Sequence, residues 1–222
     1  MSGRSVAADY LSRRTWMRHC SLILAALAAP GIAAAPPVIL VVGDSLSAEY
    51  GIARGTGWVA LLQQRLDKQG RGARVVNASI SGDTTAGGRS RLQTLLQLHK
   101  PSHVVIELGG NDALRGLPIA STRDNLMAMV RSAQGSGARV LLLGMQVPPN
   151  YGKAYTEAFA GVFTEVAQAT KAAVVPFLLK GVADGPKADE LFQPDRIHPR
   201  EAAHPLMLDN VWPELLRLMG RP

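Results

Sequence analysis

The stretch VILVVGDSLS, residues 38–47, decides how the rest of the sequence is interpreted. Its first five residues are apolar and mostly β-branched. Because such a run is too short for an ordinary helix, it predicts a strand buried on both faces. Gly43 permits a sharp turn, so Ser45 comes just after the carboxyl end of a central strand, where ligands bind in open α/β sheets. A turn in which Asp44 and Ser45 only cap a helix is the alternative.

Strands and helices alternate along the remaining sequence. Apolar runs rich in β-branched residues predict four more strands, at residues 74–77, 103–108, 139–145 and 173–175. Apolar residues at helical spacing predict helices at residues 56–70 with Thr56 as N-cap, at 91–98, 125–133 and 155–170, and from Pro205 with a bend or break at Pro213. The alternation is typical of an α/β fold: a three-layer α/β/α arrangement around a five-stranded parallel sheet in the flavodoxin-like order 2-1-3-4-5.

The amino-terminal segment differs from the rest of the chain. Basic residues within SRRTWMR, residues 12–18, precede an apolar run at 22–35 that ends in small residues, which is typical of a cleaved export leader. The run is short for a membrane span and contains Pro30, so we expect cleavage, with a retained membrane anchor as the alternative. We therefore expect a leader at 1–35 and a single domain at 36–222 in a periplasmic or secreted protein.

Two export routes fit this leader. Residues 12–18 resemble a twin-arginine signal. Translation from Met17 would remove the arginine pair and leave a short Sec-type leader. Export is the prediction in both cases, and the sequence leaves the route open.

Charge and cysteine content exclude several classes of function. Residues 36–222 keep 20 of the 24 lysines and arginines and 16 of the 17 acids, which leaves a net charge of +4. These bases are scattered, which argues against a nucleic-acid partner. Cys20, the sole cysteine, lies in the leader, so the mature domain has no disulfide and no thiolate nucleophile. No His and carboxylate cluster has the spacing of a metal site, and we expect no metal and no cofactor.

Polar residues after the strands suggest the chemistry of a serine hydrolase. Ser45, Gly82 and Asn111 follow the first three strands, and Asp195 and His198 follow the last. A serine hydroxyl becomes a nucleophile when an imidazole removes its proton and a carboxylate orients that imidazole. A spacing of three lets the acid reach the near ring nitrogen of the histidine. Taken alone, the glycine and the asparagine could simply form turns.

The other histidines fit the role of base less well. His204 is the main rival, but it lacks an acid three residues before it and is expected to begin the last helix. His99 and His103 flank the start of the third strand, at the opposite edge of the sheet. Asp44 and Asp112 adjoin the site, and we interpret both as supports that accept backbone hydrogen bonds.

Four sequence blocks carry a family resemblance: GDSLS at 43–47, ASISGDT at 78–84, ELGGND at 107–112 and DRIHP at 195–199. The chain resembles the SGNH hydrolases of the GDSL family, in the group of periplasmic thioesterases, lysophospholipases and arylesterases. The resemblance implies that Ser45 is the nucleophile and that Asp195 and His198 complete the triad. It also implies that the backbone N–H groups of Ser45 and Gly82 and the side-chain amide of Asn111 bind the oxyanion.

The resemblance further implies hydrolysis of a small acyl ester or thioester through an acyl-serine, without a cofactor or a stable membrane anchor. Loops 113–118 and 147–151 are apolar, as an acyl chain requires. Glu49 and Arg196 depart from the family pattern, where small residues are usual, and bear on substrate preference. A carbohydrate O-acetyl esterase or an acyltransferase is the alternative on the same site. A non-catalytic module that binds phosphate at residues 79–85 is another.

Overall fold

Five parallel strands form one sheet in the order β2-β1-β3-β4-β5, as the sequence predicts. The computed structural model describes residues 36–220, except for the side chain of Pro149, and the predicted leader at 1–35 lies outside the described residues. The strands are β1 (Val38–Gly43), β2 (Arg74–Asn77), β3 (His103–Glu107), β4 (Arg139–Leu143) and β5 (Ala173–Val175).

Helices cover both faces of the sheet. They are α1 (Trp58–Lys68), α2 (Thr85–His99), α3 (Gly110–Leu114), α4 (Ile119–Gly135), α5 (Lys153–Thr170), α6 (Ala188–Leu191) and α7 (His204–Met219). Helices α1 and α7 pack together on one face, and α2, α4 and α5 pack side by side on the other. Because right-handed crossovers that run in opposite directions along a sheet place their helices on opposite faces, the strand order itself dictates these two layers.

The register of the central strands sets the position of the site. Val41 of β1 pairs with Asn77 of β2 and with Val105 of β3, and Gly43 pairs with Glu107. Residues 39–43 of β1 and all of β3 are buried, which confirms that the first strand is covered on both faces. The segments that follow β1 and β3 therefore leave the sheet side by side.

Several element boundaries differ from the sequence prediction. Helix α2 begins at Thr85 rather than at residue 91, because the Thr84 side chain caps it by accepting the N–H of Gly87. Helix α1 begins after Gly57, so Thr56 is not its N-cap, and the Thr56 hydroxyl instead donates to a loop carbonyl.

Two more boundaries were predicted incorrectly. The loop expected at residues 113–118 begins only at residue 115, because Gly110–Leu114 is a short helix. Helix α7 begins at His204 and continues through Pro213 without a break. Among residues 36–220, the structure contains no helix with the length and apolar character needed to cross a membrane.

Candidate active site

Ser45, His198 and Asp195 form a continuous line of hydrogen bonds. Ser45 follows β1, and the other two residues lie in the segment between α6 and α7. The Nε2 atom of His198 is 2.9 Å from Ser45 Oγ, and its Nδ1 atom is 2.6 Å from Asp195 Oδ2. Such a line can take the proton from a serine hydroxyl and stabilise the imidazolium that results.

A tight turn holds the acid and the imidazole together. The Oδ1 atom of Asp195 accepts the backbone N–H groups of Ile197 at 2.9 Å and of His198 at 3.0 Å. Burial raises the pKa of Asp195, but the hydrogen bonds from the backbone and ring of His198 and from Ile197 together outweigh it and lower that pKa to about 2. Asp195 is therefore a carboxylate at neutral pH.

Gly82 lies on the loop that follows β2, and Asn111 lies in the first turn of α3, just after β3. Gly82 has a φ of +79°, in the left-handed region, which favours glycine. Within residues 36–220, the backbone N–H groups of Ser45 and Gly82 have no protein acceptor. Asn111 Nδ2 donates one hydrogen to Asp44 Oδ2 at 3.0 Å, which leaves a second hydrogen on the same nitrogen. The site thus has three N–H donors beside the serine turn.

Two buried carboxyl groups lie beneath the serine turn, and only one of them was noticed in the sequence. Asp44 accepts the N–H of Leu46 at 3.1 Å, as expected of a support. Glu107 is fully buried at the end of β3, and its Oε2 atom accepts the backbone N–H of Asp44 at 3.2 Å and the hydroxyl of Ser47 at 2.8 Å. An acid that ends an otherwise apolar strand was the available signal for Glu107.

Burial raises the pKa of both carboxyl groups. It raises the pKa of Asp44 to about 6, against the opposing effect of the hydrogen bonds from Leu46 and Asn111. Burial, together with the negative charge of Asp44, raises the pKa of Glu107 well above its ordinary value. Glu107 supports the serine turn by accepting hydrogen bonds from the Asp44 backbone and the Ser47 hydroxyl.

Asp112 supports the neighbouring helices, as predicted. Its Oδ2 atom accepts the N–H of Thr85 at 2.9 Å, and its Oδ1 atom accepts the hydroxyls of Thr85 and Thr122. In the same first turn of α2, the Thr84 hydroxyl accepts the N–H of Gly87. Since these N–H groups at the start of α2 are already occupied and an acid lies beside them, the segment is unsuited to bind phosphate.

His204 has a structural role. It is 2% exposed, and its Nδ1 atom accepts the N–H of Trp58 at 3.1 Å at the start of α1. Burial lowers its pKa. It is not part of the line that contains Ser45. His99 and His103 lie at the end of α2 and the start of β3, at the opposite edge of the sheet, as predicted.

Comparison with known proteins identifies the family of the chain. A model of the GDSL-like Lipase/Acylhydrolase family matches residues 41–206. The chain belongs to this family. The esterase TesA of Pseudomonas aeruginosa is 54% identical over 186 residues, which cover 84% of this chain and 91% of the relative. The thioesterase 1/protease 1/lysophospholipase L1 of Escherichia coli K12 is 40% identical over 177 residues, which cover 80% of this chain and 82% of the relative.

Solved structures agree with the family assignment. A crystal structure of TesA, 55% identical in sequence, superposes with a TM-score of 0.79 over 82% of this chain and 99% of that chain. The protein is accordingly a serine esterase of the GDSL-like family. Among residues 36–220 of this esterase, no group of three or more His, Cys, Asp or Glu side chains could hold a metal ion.

The two departures from the family pattern share a backbone conformation. Glu49 has a φ of +60° and Arg196 a φ of +57°, in the region that favours glycine. The Oε1 atom of Glu49 accepts the N–H groups of Gly55 and Gly57, each at 2.9 Å. In this member of the GDSL-like family, Glu49 thus fastens the loop that leads into α1.

Proposed function

We propose that the esterase works through an acyl-enzyme formed on Ser45. The hydroxyl oxygen attacks the substrate carbonyl carbon while His198 Nε2 takes the hydroxyl proton. When the tetrahedral intermediate breaks, His198 gives that proton to the departing alcohol or thiol. A water molecule then repeats the sequence on the acyl-serine, with the proton passing through His198 back to Ser45. The observation that carries the proposal is the 2.9 Å distance between His198 Nε2 and Ser45 Oγ.

We assign the oxyanion to three donors: the backbone N–H groups of Ser45 and Gly82 and the Asn111 side-chain amide. Asn111 supports this role because Asp44 fixes one of its two amide hydrogens. An amide donor aimed at a developing oxyanion is worth about 3–4 kcal/mol. Asp195, held as a carboxylate, orients the imidazole and stabilises its cation.

The substrates we propose are small acyl esters and thioesters, including aryl esters and lysophospholipids. The names of the relatives include esterase, thioesterase and lysophospholipase. Exposed apolar side chains also surround the site, on the segments that follow the strands: Tyr50, Ile80, Leu114, Leu117, Tyr151 and Ile197. An apolar rim of this kind suits an acyl chain.

The nucleophile is tested by Ser45→Ala, with Ser81→Ala as the matched control on the neighbouring turn. We expect Ser45→Ala to lose hydrolysis of p-nitrophenyl butyrate by about a thousandfold or more and to escape labelling by a fluorophosphonate. The Ser81→Ala variant should hydrolyse the ester and be labelled like the wild type. Labelling of the Ser45→Ala variant at the wild-type rate would refute the assignment.

We also propose that residues 1–35 export the mature domain to the periplasm or beyond it. The basic segment at 12–18 and the apolar run after it support this proposal. Deletion of residues 2–35 should confine esterase activity to the cytoplasmic fraction. If export follows the twin-arginine route, exchange of Arg13 and Arg14 for lysine should also confine the activity to the cytoplasmic fraction. If export follows the Sec route, the same exchange should leave export intact. Periplasmic activity of the deleted form would overturn the proposal.

A further inference from the structure

Gln193 joins the two chain segments that carry Ser45 and His198. Its Nε2 atom donates to the carbonyl of Tyr50 at 2.9 Å and to the carbonyl of Pro199 at 3.2 Å. Its backbone N–H donates to the carbonyl of His198 at 2.8 Å. One residue therefore holds the backbone carbonyls of His198 and Pro199 and fastens this loop to the serine turn.

The Tyr50 end of this link reaches the site in two ways. The N–H of Tyr50 donates to the carbonyl of Ser45 at 3.4 Å, so the two residues belong to one turn. The Tyr50 ring packs against the His198 ring, with 4.3 Å between the centroids and 38° between the planes. When Gln193 holds the Tyr50 carbonyl, it also keeps this ring beside the imidazole.

Gly51 accommodates the Gln193 amide. It has a φ of +71°, and a Cβ atom at this position would lie 2.2 Å from Gln193 Oε1. A side chain at residue 51 would therefore displace the amide from its two carbonyl acceptors. The absence of a side chain at Gly51 leaves room for the Gln193 amide, although the two residues lie 142 positions apart in the sequence.

Few bonds connect the serine turn with the loop of the candidate base. Within the described part of the chain, two hydrogen bonds join residues 44–51 to residues 192–200: Gln193 to Tyr50, and His198 to Ser45. The second bond is lost once an acyl group occupies Ser45 Oγ, because that oxygen then has no proton to donate. In the acyl-enzyme, Gln193 supplies the hydrogen bond that remains between residues 44–51 and 192–200, and just beyond both segments the Ala53 N–H also donates to Glu201 Oε1 at 2.9 Å.

We propose that Gln193 is a positioning residue that keeps His198 in place during deacylation. The inference rests on the proposed roles of Ser45 and His198. In acylation the hydrogen bond between Ser45 and His198 itself aligns the base. In deacylation the imidazole must hold a water molecule against the acyl carbon with no bond to the serine, so its alignment depends on Gln193. A displacement of 1 Å can reduce the rate about a hundredfold.

The experiment compares Gln193→Ala with Asn210→Ala. Asn210, on α7, makes a similar pair of hydrogen bonds to backbone carbonyls away from the site. Its Nδ2 atom donates to the carbonyl of Leu178 at 2.9 Å and to that of Lys180 at 2.8 Å. Stopped-flow hydrolysis of p-nitrophenyl butyrate gives the deacylation rate. The rate of labelling by a fluorophosphonate reports attack by Ser45 without deacylation.

We expect Gln193→Ala to reduce the deacylation rate about tenfold or more and the labelling rate by a smaller factor. Asn210→Ala should leave both rates near those of the wild type. It should lower the melting temperature by about as much as Gln193→Ala does. Equal reductions of the two rates in Gln193→Ala, or rates that match those of Asn210→Ala, would overturn the proposal.

Gly51→Ala provides a second test from the other side of the contact. It should slow deacylation in the wild-type background by displacing the Gln193 amide and should add little in the Gln193→Ala background. Fully additive effects of the two substitutions on the deacylation rate would contradict the proposed action of Gly51→Ala through Gln193. If Ser45 were not the nucleophile, the wild-type enzyme itself would not be labelled at Ser45, so that failure is distinct from a failure of the role of Gln193.

Discussion

At the scale of single residues, Glu49 and Arg196 adopt the same strained backbone conformation with different compensation. A non-glycine residue in the left-handed region costs about 1–2 kcal/mol. The Glu49 carboxylate recovers this cost through the N–H groups of Gly55 and Gly57. The Arg196 side chain is exposed and makes no hydrogen bond or ion pair to any residue within 36–220. The same substitution should therefore have opposite effects at the two positions.

We expect Arg196→Gly to raise the free energy of unfolding by about 0.5 kcal/mol, because relief of strain exceeds the added backbone entropy of the unfolded chain. We expect Glu49→Gly to lower it by about 1–2 kcal/mol, because two hydrogen bonds to a charged group are lost. Urea denaturation of both variants measures the two changes. A stabilised Glu49→Gly variant would show that the carboxylate does not offset the strain.

The raised pKa of Glu107 illustrates what single-residue reasoning could not predict. The sequence shows an acid at the end of a buried strand, and Asp44 is a recognisable support. The shift depends on the burial of Glu107 and on the negative charge of Asp44, a second carboxyl group from another strand end. The two groups meet through the register of β1 and β3, which a continuous apolar run without alternation does not specify.

At the scale of elements, α1 starts with an unusual pair of acceptors. The Nδ1 atom of His204 accepts the N–H of Trp58, and the Glu49 carboxylate accepts that of Gly57. Both come from outside the helix, one of them 146 residues away along the chain. The sequence favoured Thr56 as the cap because local rules consider only neighbouring side chains.

This arrangement predicts a loss of stability in acid. Burial lowers the pKa of His204 below its ordinary value of 6.5, so only the unfolded chain takes up the proton just below that pH. The contribution of His204 to stability should be constant above pH 6.5, fall by at most about 1.4 kcal/mol per pH unit below it, and level off below the lowered pKa. A proton on Nδ1 would also remove the acceptor and place a positive charge at the helix N-terminus.

Urea unfolding of the wild type and of His204→Asn, measured between pH 8 and pH 5, tests the linkage. Burial also lowers the pKa of His103, but that residue is present in both proteins and cancels in the difference. The wild type should lose stability relative to the variant as the pH falls below 6.5. Parallel curves for the two proteins would rule out His204 as the source.

The helices were predicted in type and order but not in extent. Residues 85–90 of α2 contain two glycines and few apolar residues, so helical periodicity could not detect this part of the helix. It is helical because Thr84, Asp112 and Asn125 bind its first turn. Pro213 likewise suggested a bend or break in α7, but four apolar residues of α7 are buried in the core on both sides of it: Met207, Leu208 and Val211 before it and Leu215 after it.

At the scale of the whole molecule, the strand order determines which segments meet. The alternation of strands and helices predicted a doubly wound parallel sheet, and the number of strands, five, suited the flavodoxin-like order 2-1-3-4-5, which the structure confirms. That order brings Ser45 and His198 to one edge of the sheet although 153 positions separate them. The link through Gln193 could not be predicted in this way, because it depends on the conformation of two irregular loops rather than on the sheet.

The same topology gathers apolar side chains around the site, which leads to a prediction about chain-length preference. Ile80 and Leu117 lie on the loops after β2 and α3 and are 53% and 36% exposed. Each side chain that covers part of an acyl chain contributes through buried CH₂ groups at about 0.8 kcal/mol each.

We expect Ile80→Ser and Leu117→Ser each to lower kcat/KM for p-nitrophenyl laurate about threefold to tenfold and to leave that for p-nitrophenyl acetate unchanged. Leu98 is 70% exposed near the end of α2, at the opposite edge of the sheet, so Leu98→Ser is the matched control and should change neither value. Equal losses on laurate and acetate would show that the two side chains shape the fold of the loops and do not contact the acyl chain.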